Sequence, residues 1–267
     1  MYKQYFGLKC SPFTKEIDNK HLYESVGMRE LSSRLDFHLQ TRGFFLLTAD
    51  AGVGKTTALR RFSSSLNQNI YRICYCAMST LTVMDFYRSL IIRMGATPEF
   101  GKIMMFEQLQ RLISDSYHGK RVTPVFLVDE AQCLSGGILE DLRMIFNFKM
   151  DAESPFIFVM AGNHAIRRKL QLSAHQGLRQ RFVGNYHMEG LGRDETSAYI
   201  ASRLRLAGAA DEGLFEPNAE EAIWAATNGC PRMINSLADA SLKLAAVLDK
   251  RHVDEDIVFQ ASKDIEI

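Results

Sequence analysis

The stretch A-D-A-G-V-G-K-T-T at positions 49–57 follows directly on the apolar run G-F-F-L-L-T and is followed by A-L-R-R-F-S-S-S-L, which has helical spacing. Strand, loop and helix in that order constrain this chain more than any other feature. A run of backbone N–H groups closed by a helix N-terminus makes a concave anion site. Gly52 and Gly54 allow conformations that a Cβ disfavours and let anionic oxygens approach the backbone. The spacing is that of G-x-x-x-x-G-K-[ST], with Ala49 where the first glycine normally stands. A methyl group is the smallest intrusion a side chain can make there.

Such a loop cradles the phosphates of a nucleoside triphosphate. Asp50, Ala51, Gly52, Val53, Gly54, Lys55, Thr56 and Thr57 are therefore the candidate ATP-binding residues. Lys55 is expected to reach the β- and γ-phosphates, and the Thr56 hydroxyl to coordinate Mg²⁺. Further on, T-P-V-F-L-V-D-E is a continuous apolar run closed by two acids, which reads as a buried parallel strand. Ligands at the carboxyl ends of parallel strands share one crevice, so Asp129 and Glu130 are expected beside the loop. Asp129 would hold Mg²⁺, and Glu130 would orient and deprotonate the attacking water. The next apolar run, P-F-I-F-V-M-A-G-N, ends at Asn163, whose amide suits the attacking water or the γ-phosphate and, as the plainer alternative, a turn or cap.

The rest of the chain fits that reading. Its 267 residues allow one or two domains, and a net charge of +1 gives no global electrostatic case for nucleic acid or membrane. The five cysteines are scattered without a C-x-x-C pair, which favours structural thiols in a reducing compartment. Cys74 and Cys76 alternate within a strand and share one of its faces. The N-terminus has no apolar signal region, and no stretch approaches the ~18 apolar residues of a membrane span, so a cytoplasmic protein is expected. Strand-like runs near 70–76, 123–129, 155–163 and 183–188 alternate with helical spacing, whereas only helices follow Leu191. The expected fold is α/β: a P-loop core with a parallel sheet between helices over residues 1–190, and a small all-helical lid domain over 191–267.

The motifs together resemble an AAA+ ATPase: the phosphate loop, the D-E pair, the polar end of the following strand, L-R-Q-R-F at 178–182, and G-C-P-R at 229–232. That resemblance implies that Arg232 senses the γ-phosphate and that an arginine from a neighbouring subunit completes the site, making the protein a homo-oligomer, as a ring or helical filament. Arg179 and Arg181 both fit the second role; the sequence does not choose, and we place Arg181 first. The opening Y-F-G-L-K-C-S-P-F, the later D-N-K-H-L-Y, A-G-N and L-G-R-D-E-T-S-A-Y-I-A-S-R-L-R-L-A-G resemble the ExeA (general secretion pathway A) group, with relatives similar to the transposition ATPases TniB, TnsC and MuB. The resemblance implies that Phe13, Tyr23 and Val26 border the adenine, their alternative role being an N-terminal core anchor.

Secretion proteins of this group carry a membrane span and a cell-wall-binding region, and the sequence closes at Ile267 without either. The expectation is therefore a regulator of DNA transposition that oligomerises with ATP on non-specific double-stranded DNA and recruits a transposase, with no membrane partner. A secretion-associated ATPase, or an ATP-gated assembly switch that binds no DNA, is the alternative. By the same resemblance, Ser79, Thr80, Thr97 and Lys102 are the candidate DNA contacts, with Arg88 and Arg93 on the helix between them. The basic run R-R-K at 167–169 suits a subunit interface or DNA equally.

Overall fold

A computed structural model of the chain describes residues 2–77, 82–211 and 213–265. They form two compact units, one of residues 30–51 and 55–188, the other of residues 2–29, 52–54 and 189–265.

The first unit is built on a parallel sheet of β1 (Gly43–Thr48), β2 (Tyr71–Ala77), β3 (Thr123–Asp129), β4 (Ile157–Gly162) and β5 (Phe182–His187), in the order β2-β3-β4-β1-β5. Every residue of β1 and β4 is buried, as expected of strands covered on both faces by crossover helices. The register aligns Thr48 with Gly162 and with His187, and Ala77 with Asp129, so the carboxyl ends finish level. On one face, Phe44, Phe126, Phe146, Phe156 and Phe158 meet at ring-centroid distances of 4.5–6.0 Å. The helices Val83–Arg93, Lys102–Ser114 and Gly136–Ile145 bury Phe86, Leu90, Met105, Leu109, Ile138 and Leu142 in the same core. Thr82 starts the first of these helices by accepting the Asp85 N–H at 3.2 Å, and Ser135 starts the third by accepting the Ile138 N–H. Such caps satisfy donors that a helix end leaves without partners.

The second unit packs the helices Arg193–Leu206, Pro217–Thr227, Pro231–Val247 and Glu255–Asp264 around Ile200, Leu204, Ile223, Ile234, Leu237 and Ile257. Phe6, Leu8 and Phe13 belong to this core. Arg203, only 4% exposed, donates from Nε to the Pro12 carbonyl at 2.7 Å and from its second arm to the Thr14 carbonyl. The N-terminal segment expected with the nucleotide domain thus groups with the helical unit instead. The reason is physical: three apolar side chains and two carbonyls find their partners there.

His38, on the helix Val26–Thr41, is 2% exposed, with its ring 5.3 Å from that of Phe45 and Nε2 3.2 Å from the Gly43 carbonyl. Burial lowers its pKa from 6.5 to about 4. The folded protein keeps this imidazole neutral while the unfolded chain protonates it near 6.5, so stability is undiminished above ~6.5 and falls as the pH drops towards ~4, by up to roughly 3 kcal/mol. We expect a lower urea midpoint at pH 5 than at pH 7, and a smaller difference in His38→Gln, which keeps a donor for the Gly43 carbonyl. Equal pH slopes in the two proteins would assign the effect to other groups.

Candidate nucleotide site

The loop between β1 and the helix Lys55–Ser65 opens at Ala49, which is fully buried and donates its N–H to the Gly162 carbonyl at 3.1 Å. The replacement of the usual first glycine is therefore absorbed at the sheet end. Lys55, 7% exposed, places Nζ 3.0 Å from the carbonyls of both Ala49 and Asp50.

Thr56 Oγ1 donates to Asp129 Oδ2 at 2.6 Å, and Asp129 is 2% exposed. The other oxygen of Asp129 accepts the Glu130 N–H at 2.9 Å. A hydroxyl and a carboxylate, without thiol or imidazole, form a hard oxygen donor set that suits Mg²⁺. The Tyr75 hydroxyl also donates a hydrogen bond to Asp129 Oδ2 at 3.4 Å, and burial first, with the Asp129 charge second, raises its pKa. Sequence reading missed Tyr75, although the alternation that buries Cys74 and Cys76 on one face of β2 turns Tyr75 to the other.

Asn163 lies at the end of β4, where its Oδ1 accepts the Ala165 N–H at 2.8 Å and caps the helix His164–Gln171. Its side-chain oxygen thus serves the cap that was the plainer alternative, while the backbone N–H of Asn163 donates to Gln132 Oε1 at 3.1 Å. Nearby, His164 Nε2 lies 3.6 Å from Asp50 Oδ1, and its ring sits tilted against that of His187 with centroids 4.6 Å apart.

The two arginine candidates differ sharply. Arg181 pairs with Asp151 at 2.7 Å, donates to the Arg143 carbonyl at 2.5 Å and has a side chain 15% exposed. Arg179, at the end of the short helix Gln176–Arg179, is exposed. Arg181 is thus engaged within its own chain, and Arg179 is the exposed one of the two.

In the helical unit, Arg232 is exposed in the first turn of Pro231–Val247, and its N–H donates to the Gly52 carbonyl at 3.3 Å. Phe13 is 7% exposed and meets Phe215 edge-on at 6.1 Å, which fits the alternative role of an N-terminal core anchor. Tyr23 meets Tyr199 edge-on at 5.6 Å. Val26 is 56% exposed, with its N–H on Glu195 Oε1 at 2.7 Å.

Of the expected DNA contacts, Ser79 and Thr80 lie outside the described residues. Thr97 is exposed, but Lys102 pairs with Asp141 at 2.7 Å and Arg88 with Asp85 at 3.2 Å. The same loop and helix start present Phe100 and Ile103, 96% and 73% exposed. Lys169, from the basic run, is bound to the carbonyls of Gln132 and Leu134 at 2.6 and 2.8 Å.

Fold and site together are those of a P-loop α/β protein, and residues 38–170 match the family model described as AAA domain. The chain is 32% identical over 246 residues, 91% of its length, to General secretion pathway protein A of Aeromonas hydrophila, and it spans 44% of that relative. Among solved structures it is similar to Cdc6p of Pyrobaculum aerophilum, with a TM-score of 0.68, 16% identity, and 95% of this chain and 70% of that one covered. ORC2 of Aeropyrum pernix gives 0.67, 14%, 95% and 70%, and the RuvB Holliday junction branch migration motor of Thermotoga maritima 0.58, 19%, 95% and 73%. At these identities the structures share the fold.

Gly52 has φ +87°, and a Cβ on it would lie 2.9 Å from both Arg232 Cβ and Cys230 Sγ. Gly52→Ala is expected to lower unfolding free energy by ~1–3 kcal/mol in urea titrations. An unchanged midpoint would show that loop and helix start relax without cost.

Proposed function

We propose that this chain is an ATPase whose nucleotide state gates its own assembly, serving a secretion-type apparatus of the kind to which General secretion pathway protein A owes its name. The observation that carries the reading is the 2.6 Å contact between Thr56 and Asp129, with Lys55 buried at the same strand ends. The 32% identity to that protein supports the choice of apparatus.

In this reading the loop N–H groups and Lys55 bind the triphosphate, and Thr56 and Asp129 hold Mg²⁺. When bound, the ion neutralises charge on the β- and γ-phosphates. Glu130 takes a proton from the attacking water, with Asn163 bordering that water, and Arg232 senses the γ-phosphate. Val26 and Tyr23 border the base. Arg179 of a neighbouring copy completes the site, so nucleotide binding stabilises the subunit contact and hydrolysis weakens it.

Lys55→Ala is expected to lose nucleotide binding and assembly. Glu130→Gln is expected to bind ATP, hydrolyse it ~10²-fold or more slowly, and accumulate assemblies visible by electron microscopy. Rapid turnover by Glu130→Gln would remove Glu130 as the base. Arg179→Ala is expected to be nearly inactive alone and to regain turnover when mixed with Glu130→Gln, because each inactive partner then supplies what the other lacks. Arg181→Ala regaining turnover in that mixture while Arg179→Ala is active alone would return the role to Arg181.

The reading of a DNA-loaded transposition regulator takes second place. It leaned on the sequence closing at Ile267, and a chain that spans 44% of its relative gives that position no weight. Its cationic contacts Lys102 and Arg88 are paired with carboxylates, and an apolar Phe100 stands among them. Nucleotide-dependent assembly that also requires double-stranded DNA at moderate salt would restore it. Among the described residues no helix is long and apolar enough to cross a membrane.

A further inference from the structure

β3 ends abruptly. Glu130 takes a left-handed conformation (φ 53°, ψ 38°), and the next residues wind into a short 3₁₀ turn, Ala131–Cys133. A non-glycine residue held there is strained and persists because its surroundings hold it. Two features hold it. Lys169 Nζ donates to the carbonyls of Gln132 and Leu134 at 2.6 and 2.8 Å, clamping the turn from outside. The half-buried Gln132 side chain lies inside it, with Nε2 donating to Glu130 Oε2 and Oε1 accepting the Asn163 N–H at 3.1 Å.

The orientation of that amide follows from its partners. A backbone N–H only donates and a carboxylate oxygen only accepts, so Oε1 faces Asn163 and Nε2 faces Glu130. Glutamine is the residue that does both at this length; glutamate has no donor for Glu130, and methionine has neither group. Space is closed as well. A Cβ on Gly162 would lie 2.8 Å from Gln132 Oε1 and 3.3 Å from the Gln132 nitrogen, so the glycine at the end of β4 is what admits the amide. The side chain thus links the end of β4 to a carboxylate at the end of β3.

We infer that Gln132 is a positioning residue for hydrolysis, fixing the Glu130 carboxylate against the end of β4 through its two-ended amide. The inference rests on the proposed role of Glu130 as the base. It also gives Lys169 a place in the fold, as the clamp on the turn, in place of a DNA or interface contact. A base misplaced by an ångström costs as much as ~10²-fold in rate, while the groups that bind the phosphates stay where they are.

The test is a double-mutant cycle on the full chain, with ATPase kcat and KM measured at protein concentrations where assembly does not limit the rate. Gln132→Met is expected to lower kcat by roughly 10–100-fold. Its KM should stay within about threefold, and its affinity for a fluorescent ATP analogue should be unchanged, since neither reports a transition-state contact. Adding Gln132→Met to Glu130→Gln should change kcat by less than about twofold, because the group it positions is already gone. Gly162→Ala pushes the amide from the other side and should reproduce the kcat loss, so the test survives if Gln132→Met fails to bind nucleotide.

Three results would overturn the inference: a wild-type kcat for both Gln132→Met and Gly162→Ala, a rise in kcat, or an equal fold-loss with and without Glu130→Gln. The last would mark a structural role. If Glu130→Gln itself turns over at the wild-type rate, the base assignment falls and the inference falls with it; if Glu130→Gln is slow while Gln132→Met and Gly162→Ala both keep the wild-type kcat, only the inference falls.

Discussion

The hydroxyl of Thr56 stands on the helix that follows β1 and the carboxylate of Asp129 closes β3, and β4 lies between those two strands. Adjacent strands stand ~4.8 Å apart, so the ends of β1 and β3 are separated by about twice that distance, and the chain that leaves β1 has to carry Thr56 across to Asp129. The closure requires β1, β3 and β4 to finish level. Their pairing provides this, running from Gly43 with Ile157 to Thr48 with Gly162 and from Val125 with Ile157 to Val128 with Met160. A slip of one residue would turn Asp129 to the other face of the sheet.

Much of this was legible because strong patterns coincide with the functional ends. The buried strands read as unbroken apolar runs, and the motif residues stand where those runs stop, so Lys55, Thr56, Asp129 and Glu130 could be placed before any coordinate. Several helix starts carry local marks of their own. Thr82, Ser135 and Asp254 accept N–H groups in the first turns of their helices, and Pro217 and Pro231 open two others, all local signals.

What was not legible depends on distant partners. Nothing near Phe13 in sequence says that its ring will meet Phe215, or that Arg203 will bind carbonyls 191 and 189 residues away. The difference between Arg179 and Arg181 lies in Asp151 and the Arg143 carbonyl, which the residues around 179–181 do not announce. Tyr75 and Gln132 fell between these cases. Each stands on a recognisable element, but its target, Asp129 or the pair of Glu130 and Asn163, is set by the sheet order.

The buried guanidinium of Arg203 has a consequence for anyone dividing this protein. Among the described residues its hydrogen-bond acceptors are the carbonyls of Pro12 and Thr14 and no carboxylate, and burial lowers its pKa. A fragment beginning at residue 30 would retain all five strands, yet its helical part would lose Phe6, Leu8 and Phe13 and leave a desolvated cation without those acceptors. Excision therefore has to follow the grouping in space: the first 29 residues travel with the last 79, and a helical piece expressed without them would carry an exposed apolar face where its own chain start belongs.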